Sequence, residues 1–231
     1  MLGACGPLRS DRLMERPLND VDAPPPDELG RLDLRIVLRD GSRVRIRQGR
    51  RSDGELLRRG FRRLSPESRY RRFLGPTPEL SDRMVRQLTD IDHHDRESMI
   101  AVDDGTLDGV GVARYVRDSR RPTRAEVAVT VVDGWQGRGL GTLLLDAIGV
   151  RARAEGITTF TALMLAENDT MMDLLGQLGP LRIVDRAAGS VEIEVPIAAV
   201  GLAPELRTLL RIAARHDIAI PIGRIERAAG R

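Results

Sequence analysis

The chain has 231 residues, of which 41% are apolar, 31% charged and 3% aromatic, a composition that fits one globular domain with extensions and excludes disorder throughout. No run approaches the roughly 20 consecutive apolar residues needed to cross a bilayer. All 37 basic residues are arginine and 34 acidic residues nearly balance them to a formal charge of +3, so the pI of 9.9 does not by itself imply a polyanion partner.

Residues 1–30 carry Pro24-Pro25-Pro26 and no periodicity, and are expected to be a disordered or loosely packed arm. Cys5 lies there as the single cysteine, which excludes an intramolecular disulfide and fits a reducing, cytoplasmic setting. The globular domain is expected over 31–198. Leu34, Ile36 and Leu38 alternate, Asp40-Gly41 supplies a turn, and Val44 and Ile46 alternate again, as in a first strand or hairpin. Ser52 and Glu55 have the spacing of a capping box ahead of Leu56, Leu57, Phe61 and Leu64, which share one helical face. Ser65-Pro66-Glu67 and Thr77-Pro78-Glu79 each have the pattern of a helix start.

The period then changes to that of strands over 98–103, 109–117 and 125–132, separated by turn signals, which predicts an antiparallel meander. A glycine-rich loop leads to a helix carrying Leu143, Leu144, Ala147, Ile148 and Ala152, then a strand over 158–166 that runs parallel to the one before the loop. A short helix over 169–178 and two strands over 181–186 and 191–197 complete the domain. Beyond it, 199–231 is a helical extension in which Leu206, Leu209, Leu210 and Ala213 form an amphipathic stripe, suited to packing on the domain or on a second copy in a homodimer.

The chemistry concentrates in Val131-Val132-Asp133-Gly134-Trp135-Gln136-Gly137-Arg138-Gly139-Leu140-Gly141-Thr142, where four glycines fall within eight residues between an alternating strand and an aliphatic helix. Glycine lets the backbone approach a ligand, and the helix that follows offers unpaired N–H groups and the positive end of its dipole, a combination suited to phosphate or pyrophosphate. A P-loop needs a lysine, and the chain has none. A dinucleotide fingerprint needs Gly or Ala where Thr142 stands and follows the first strand of a parallel sheet, not a meander. A turn of purely structural use is the remaining alternative.

Gln136-x-x-Gly139-x-Gly141, together with the order strand, two helices, three antiparallel strands, loop, helix, strand, helix and two strands, resembles the GNAT superfamily of acyl-CoA N-acyltransferases over about residues 34–197. The resemblance implies an α/β (α+β) fold with a mixed, mostly antiparallel central sheet of about six to seven strands flanked by helices. It implies acetyl-CoA as donor, with Val129, Thr130 and Val131 presenting backbone groups to the pantetheine arm. Gln136, Gly137, Arg138, Gly139, Leu140, Gly141 and Thr142 would hold the pyrophosphate through main-chain N–H groups, with a charge-assisted contact from Arg138. Asn168 matches a residue placed near the thioester, although Asn is also a favoured helix cap. Leu175 occupies the place where the superfamily often has a tyrosine general acid; Tyr115 is a substitute candidate.

An alkylamine of pKa about 10.4 is roughly 99.9% protonated at pH 7, so transfer needs a base. Glu126, a carboxylate in the otherwise aliphatic 125–131 strand, is the candidate: partial burial would raise its pKa into a useful range. The segment is similar to bacterial protein-lysine acetyltransferases, whose catalytic Glu occupies this place. The competing expectation is an exposed carboxylate paired with Arg124 or Arg114. His93 and His94, among Asp90, Asp92, Asp95 and Glu97, suit cation binding better than base catalysis, and one short loop does not supply the convergent geometry of a metal site. The expected activity is direct transfer of acetyl from acetyl-CoA to a primary amine, a protein lysine before a small molecule. The rivals are an acyl-CoA sensor or scaffold without turnover and a nucleic-acid binder using the arginine pairs of 50–72, the latter disfavoured by the few aromatics among them.

Overall fold

The computed structural model of the chain describes residues 32–197. The arm with Cys5 and the amphipathic stripe from Leu206 to Ala213 lie outside the described residues. β1 (Asp33–Val37) and β2 (Arg43–Gln48) form the expected hairpin, with Leu34, Val44 and Ile46 facing inward in register.

A tight turn at Arg51–Asp53 leads into α1 (Gly54–Arg62), followed by α2 (Pro66–Phe73) and α3 (Asp82–Thr89). α2 starts as expected, with Pro66 in the first turn and the Ser65 hydroxyl accepting from the Ser68 N–H. The other two starts differ. Before α1 the carboxylate that accepts a flanking backbone N–H is that of Asp53, which takes Arg50 N–H at 2.7 Å and both arms of the Arg47 fork, while Glu55 turns outward to Arg62. α3 begins after Ser81, whose hydroxyl accepts from Met84 N–H, and not at Thr77-Pro78-Glu79. Leu80 is buried against Phe61 and Leu64, and the Pro78 carbonyl accepts from Arg69, so the chain stays irregular until Leu80 has been inserted.

β3 (Arg96–Asp103), β4 (Gly109–Arg117) and β5 (Arg124–Val131) make the meander, followed by α4 (Leu140–Ala154), β6 (Thr159–Leu165), α5 (Asp169–Gly176), β7 (Arg182–Ala187) and β8 (Ser190–Pro196). They form one eight-stranded sheet in the order β1-β2-β3-β4-β5-β6-β8-β7. The count exceeds the expected six to seven because both arms of the first hairpin join the sheet. Only β5 and β6 pair in parallel.

β3 is buried on both faces, since α4 covers one side and α1 to α3 the other. On the α4 side, Leu140, Leu144, Leu145 and Ile148 pack against Met99, Ala113, Tyr115 and Val127 in the main core. On the opposite side, Phe61, Leu64, Leu80 and Val132 form a smaller core. Glu97 and Arg151, both 2% exposed or less, pair at 3.1 Å between β3 and α4, and Gln48 adds a 2.8 Å bond to the same carboxylate.

Candidate active site

β5 and β6 share only three rows, Arg124 with Thr159, Ala125 with Phe160 and Glu126 with Thr161. Beyond Glu126 the strands separate. The Val132 N–H bonds to Val110 of the β4 segment at 2.9 Å, so by alternation Thr130 and Ala128 also turn their backbone groups toward β4. Val129 and Val131 therefore point theirs into the gap, whereas Thr130 does not. Gln136 Nε2 donates to the Val131 carbonyl at 3.0 Å, closing the gap at the loop end.

The loop opens with a turn at Asp133–Trp135 and passes through Gly137 at φ 72° and Gly139 at φ 85° before α4 begins at Leu140. These two positions lie in the left-handed region, which a side chain on Cβ disfavours. Among the described residues, no acceptor is bound to the N–H groups of 137–142. A row of free amides thus meets the positive end of the longest helix of the described region.

The loop side chains brace it instead. The Arg138 guanidinium bonds to Asp40 at 2.7 Å, to Ser42 at 2.9 Å and to the Gly134 carbonyl, and lies 4.9 Å from the Trp135 ring centroid. In this geometry it is committed to the β1–β2 turn, not turned toward a phosphate. Asp133 accepts from the Ser65 N–H and from the hydroxyls of Ser65 and Ser68 at 2.7 to 2.9 Å, tying the loop to the start of α2. Partial burial works to raise its pKa, but these bonds outweigh it and hold the carboxyl below its ordinary value.

Glu126 lies on the α1 to α3 face of the sheet and is exposed, so the partial burial expected of it is absent. Arg124 pairs with Glu194 and not with Glu126. The cations near Glu126 are Arg114 on β4 and Arg72 on α2. Burial pushes the Arg72 guanidinium down to about 10; Arg114 adds to that push and Glu126 opposes it. The Arg114 guanidinium is also lowered by burial, again opposed by Glu126. Both arginines line a cavity, open to solvent, between the sheet and α1 to α3, walled by apolar residues such as Leu57, Phe61, Phe73 and Ile100. The sequence reading named Arg114 only as a possible partner of Glu126, and gave Arg72 no role at this site and Asp133 none in the loop. Arg114 carries the same signal that singled out Glu126, a charge within an otherwise apolar strand.

Asn168 is buried and caps α5, its Oδ1 accepting from the Met171 N–H at 3.2 Å. Leu175 is fully buried in the main core, so no proton donor faces the gap from there. Tyr115 is on the α4 face, the opposite side from Glu126, and its hydroxyl donates to the His94 carbonyl at 3.0 Å; it is not the substitute acid. His93 contacts Glu97 at 3.0 Å and His94 contacts Glu155 at 2.5 Å, so the two histidines turn to different carboxylates. Among the described residues, no three His, Cys, Asp or Glu side chains converge. Arg58, Arg59, Arg62, Arg63 and Arg71 each have a carboxylate partner, so the arginine pairs are largely neutralised as a surface for polyanions. No described helix is long and apolar enough to cross a membrane. On α4, Asp146 is buried with no described partner, and burial alone pushes its carboxyl up to about 7.

The profile of the acetyltransferase (GNAT) family matches residues 61–179. Acetyltransferase PA5475 of Pseudomonas aeruginosa is 38% identical over 144 residues, 62% of this chain and 77% of that protein. Acetyltransferase Pat of Mycolicibacterium smegmatis is 31% identical over 188 residues, 79% of this chain and 55% of that protein, so the chain spans about half of that relative's length. Among solved structures, the GNAT domain of S. lividans PAT is 32% identical with a TM-score of 0.66, over 71% of this chain and 96% of that one. A cAMP-binding acyltransferase from Mycobacterium smegmatis is 28% identical with a TM-score of 0.55, over 82% of this chain and 56% of that one.

Proposed function

The chain belongs to the acetyltransferase (GNAT) family, and from that premise we propose that it moves the acetyl group of acetyl-CoA directly onto a protein lysine in a ternary complex, with Glu126 as general base. Acyl-CoA-dependent N-acetyltransferase chemistry and acetyl-CoA as donor follow from the family. The single observation that supports the donor site is the meeting of two backbone edges, the Val129 groups and the Val131 N–H facing the β5–β6 gap, with the Val131 carbonyl held by Gln136, and the open amides of 137–142. The diphosphate would lie on the amides and the pantetheine along the strand edge.

The amine nitrogen attacks the thioester carbonyl, the C–N bond forms, the C–S bond breaks, and CoA leaves as a thiolate. Glu126 takes the amine proton, through a water because its carboxylate is exposed. With Leu175 buried and Tyr115 on the other face, the thiolate takes its proton from solvent; a thiol of pKa about 8.5 makes this a tolerable leaving group. The choice of a protein lysine is supported by the resemblance of the Glu126 strand to bacterial protein-lysine acetyltransferases. A cytoplasmic setting suits the acetyl-CoA supply.

The test combines calorimetric titration of acetyl-CoA with a thiol-release assay on lysine peptides. Glu126→Gln should leave cofactor affinity unchanged and lower the rate at pH 7 by about 10²-fold or more. An unchanged rate would remove Glu126 from the mechanism. The buried Leu175 favours one second reading, an acyl-CoA sensor, which tight binding without thiol release for any amine would establish.

A further inference from the structure

The cavity beneath α1 to α3 ends in an unusual set of charges. Ser98 and Arg114 are directly paired across β3 and β4, and Glu126 lies one row diagonal to Arg114 on the same face of β5. Arg72, on the last turn of α2, reaches the same region, since it interacts electrostatically with both Arg114 and Glu126. Ser98 lines the cavity and is 3% exposed, yet its Oγ has no hydrogen-bond partner among the described residues. Buried hydroxyls are otherwise paired, so an orphaned one facing a cavity marks a place where a ligand or water completes the structure.

Among the described residues, neither arginine has a committed partner. Arg114 reaches only the Gln87 carbonyl at a long 3.4 Å, and Arg72 lies 5.1 Å from the centroid of the neighbouring Phe73 ring. Neither makes an ion pair among the described residues, unlike most arginines of α1 and α2. Two half-buried guanidiniums against one exposed carboxylate leave this end of the cavity net positive. An acceptor bringing only an ammonium group would add to that excess. An acceptor that also brings an anion would relieve it.

We propose that Arg72, Arg114 and Ser98 form a carboxylate subsite beside Glu126, so that the preferred acceptor carries a carboxylate close to its amine, in a protein an acidic residue adjacent to the target lysine. The proposal rests on the acetyltransferase reading of this face as the acceptor side. The guanidinium fork matches a carboxylate in shape and offers two parallel N–H donors, and the Ser98 hydroxyl supplies a further donor. Burial, which already disfavours both isolated cations, strengthens the attraction once an anion enters.

The test uses short peptides identical except that the residue after lysine is Asp, Asn or Arg, with Nα-acetyl-lysine and its carboxamide to separate a peptide-borne carboxylate from a free one. Thiol release by the unaltered protein should favour the Asp peptide over the Asn peptide by about tenfold or more in kcat/KM, as expected for a charge-assisted forked contact. The same peptides titrated into the CoA complex, where no transfer occurs, should show the same order of affinity. Arg72→Gln and Arg114→Gln should each reduce the preference and Arg72→Lys should retain part of it, with thermal unfolding checking that each variant is folded. A preference for Nα-acetyl-lysine over its carboxamide without one among the peptides would overturn the adjacent-residue form of the proposal. Equal kcat/KM and equal affinity for Asp and Asn peptides, and for Nα-acetyl-lysine and its carboxamide, would overturn the subsite. A carboxylate preference in binding with no thiol release would uphold the subsite and overturn the transferase reading.

Discussion

Asp146 permits a quantitative forecast on the helix that follows the proposed donor cradle. Its carboxyl is pushed up from 3.8 to about 7 by burial, with no cation or hydrogen-bond donor among the described residues offsetting the cost. A folded-state pKa above the unfolded one means that the native state binds the extra proton. The resulting penalty is absent below about pH 4, grows between about 4 and 7, and is complete above about 7. Each pKa unit is about 1.4 kcal/mol, so the full penalty is on the order of 4 kcal/mol, and roughly 3 kcal/mol of it develops between pH 5 and pH 8. Asp146→Asn keeps the shape and removes the charge. The variant should gain little at pH 5 but about 2 to 3 kcal/mol more at pH 8, or roughly 4 to 12 °C in Tm for a domain of this size. Differential scanning fluorimetry of both proteins across this pH range measures the difference. A Tm gap that does not change with pH would refute a lone desolvated carboxyl at this position.

Two further outcomes bear on the frame of the site. Gly139→Ala places a Cβ at φ 85°, where nothing lies within 4 Å, so the stability cost is the conformational strain of about 1 to 2 kcal/mol alone; acetyl-CoA affinity measured by titration should fall further, because the new methyl group occupies the open side of the cradle. Glu97→Gln deprives the buried Arg151 of its main carboxylate partner and should lower stability by about 3 kcal/mol in urea unfolding, with acetyl-CoA affinity changed little once the protein is folded.

The backbone of the proposed donor site was largely legible because its signal is local. Positive-φ glycines at fixed spacing between a valine strand and an aliphatic helix are a statement about backbone, and Gly137 and Gly139 adopt that backbone. The strands were legible for the same reason, since period-two alternation is set by which face is buried. The misplaced helix starts have the opposite character. Ser52 and Thr77 look like caps in isolation, but Arg47 draws Asp53 into the first turn and the burial of Leu80 delays α3 to Ser81, and both effects come from packing at a distance. Glu126 was found by its anomaly of charge in a strand. Its exposure was only the competing expectation, because sequence does not say how much of that face the short α2 covers.

The partition of work within the loop accounts for why its side chains were the hardest part to interpret. Arg138, Asp133 and Gln136 have the polar character expected of ligand contacts, yet each is engaged by a protein group: the β1–β2 turn, the start of α2 and the Val131 carbonyl. Two of these partners are remote in sequence, at Asp40 and Ser65, which is why spacing could not reveal them. Held from both sides in this way, the loop can keep its amides open without collapsing onto them, and the ligand is left with backbone donors and the helix dipole. Backbone donors recognise an oxyanion without reading the rest of the molecule. In the proposed reaction, selectivity toward the acceptor would therefore come from the other face of the sheet, where Glu126, Arg114 and Arg72 supply the charged side chains that the proposed donor cradle does not have to spare.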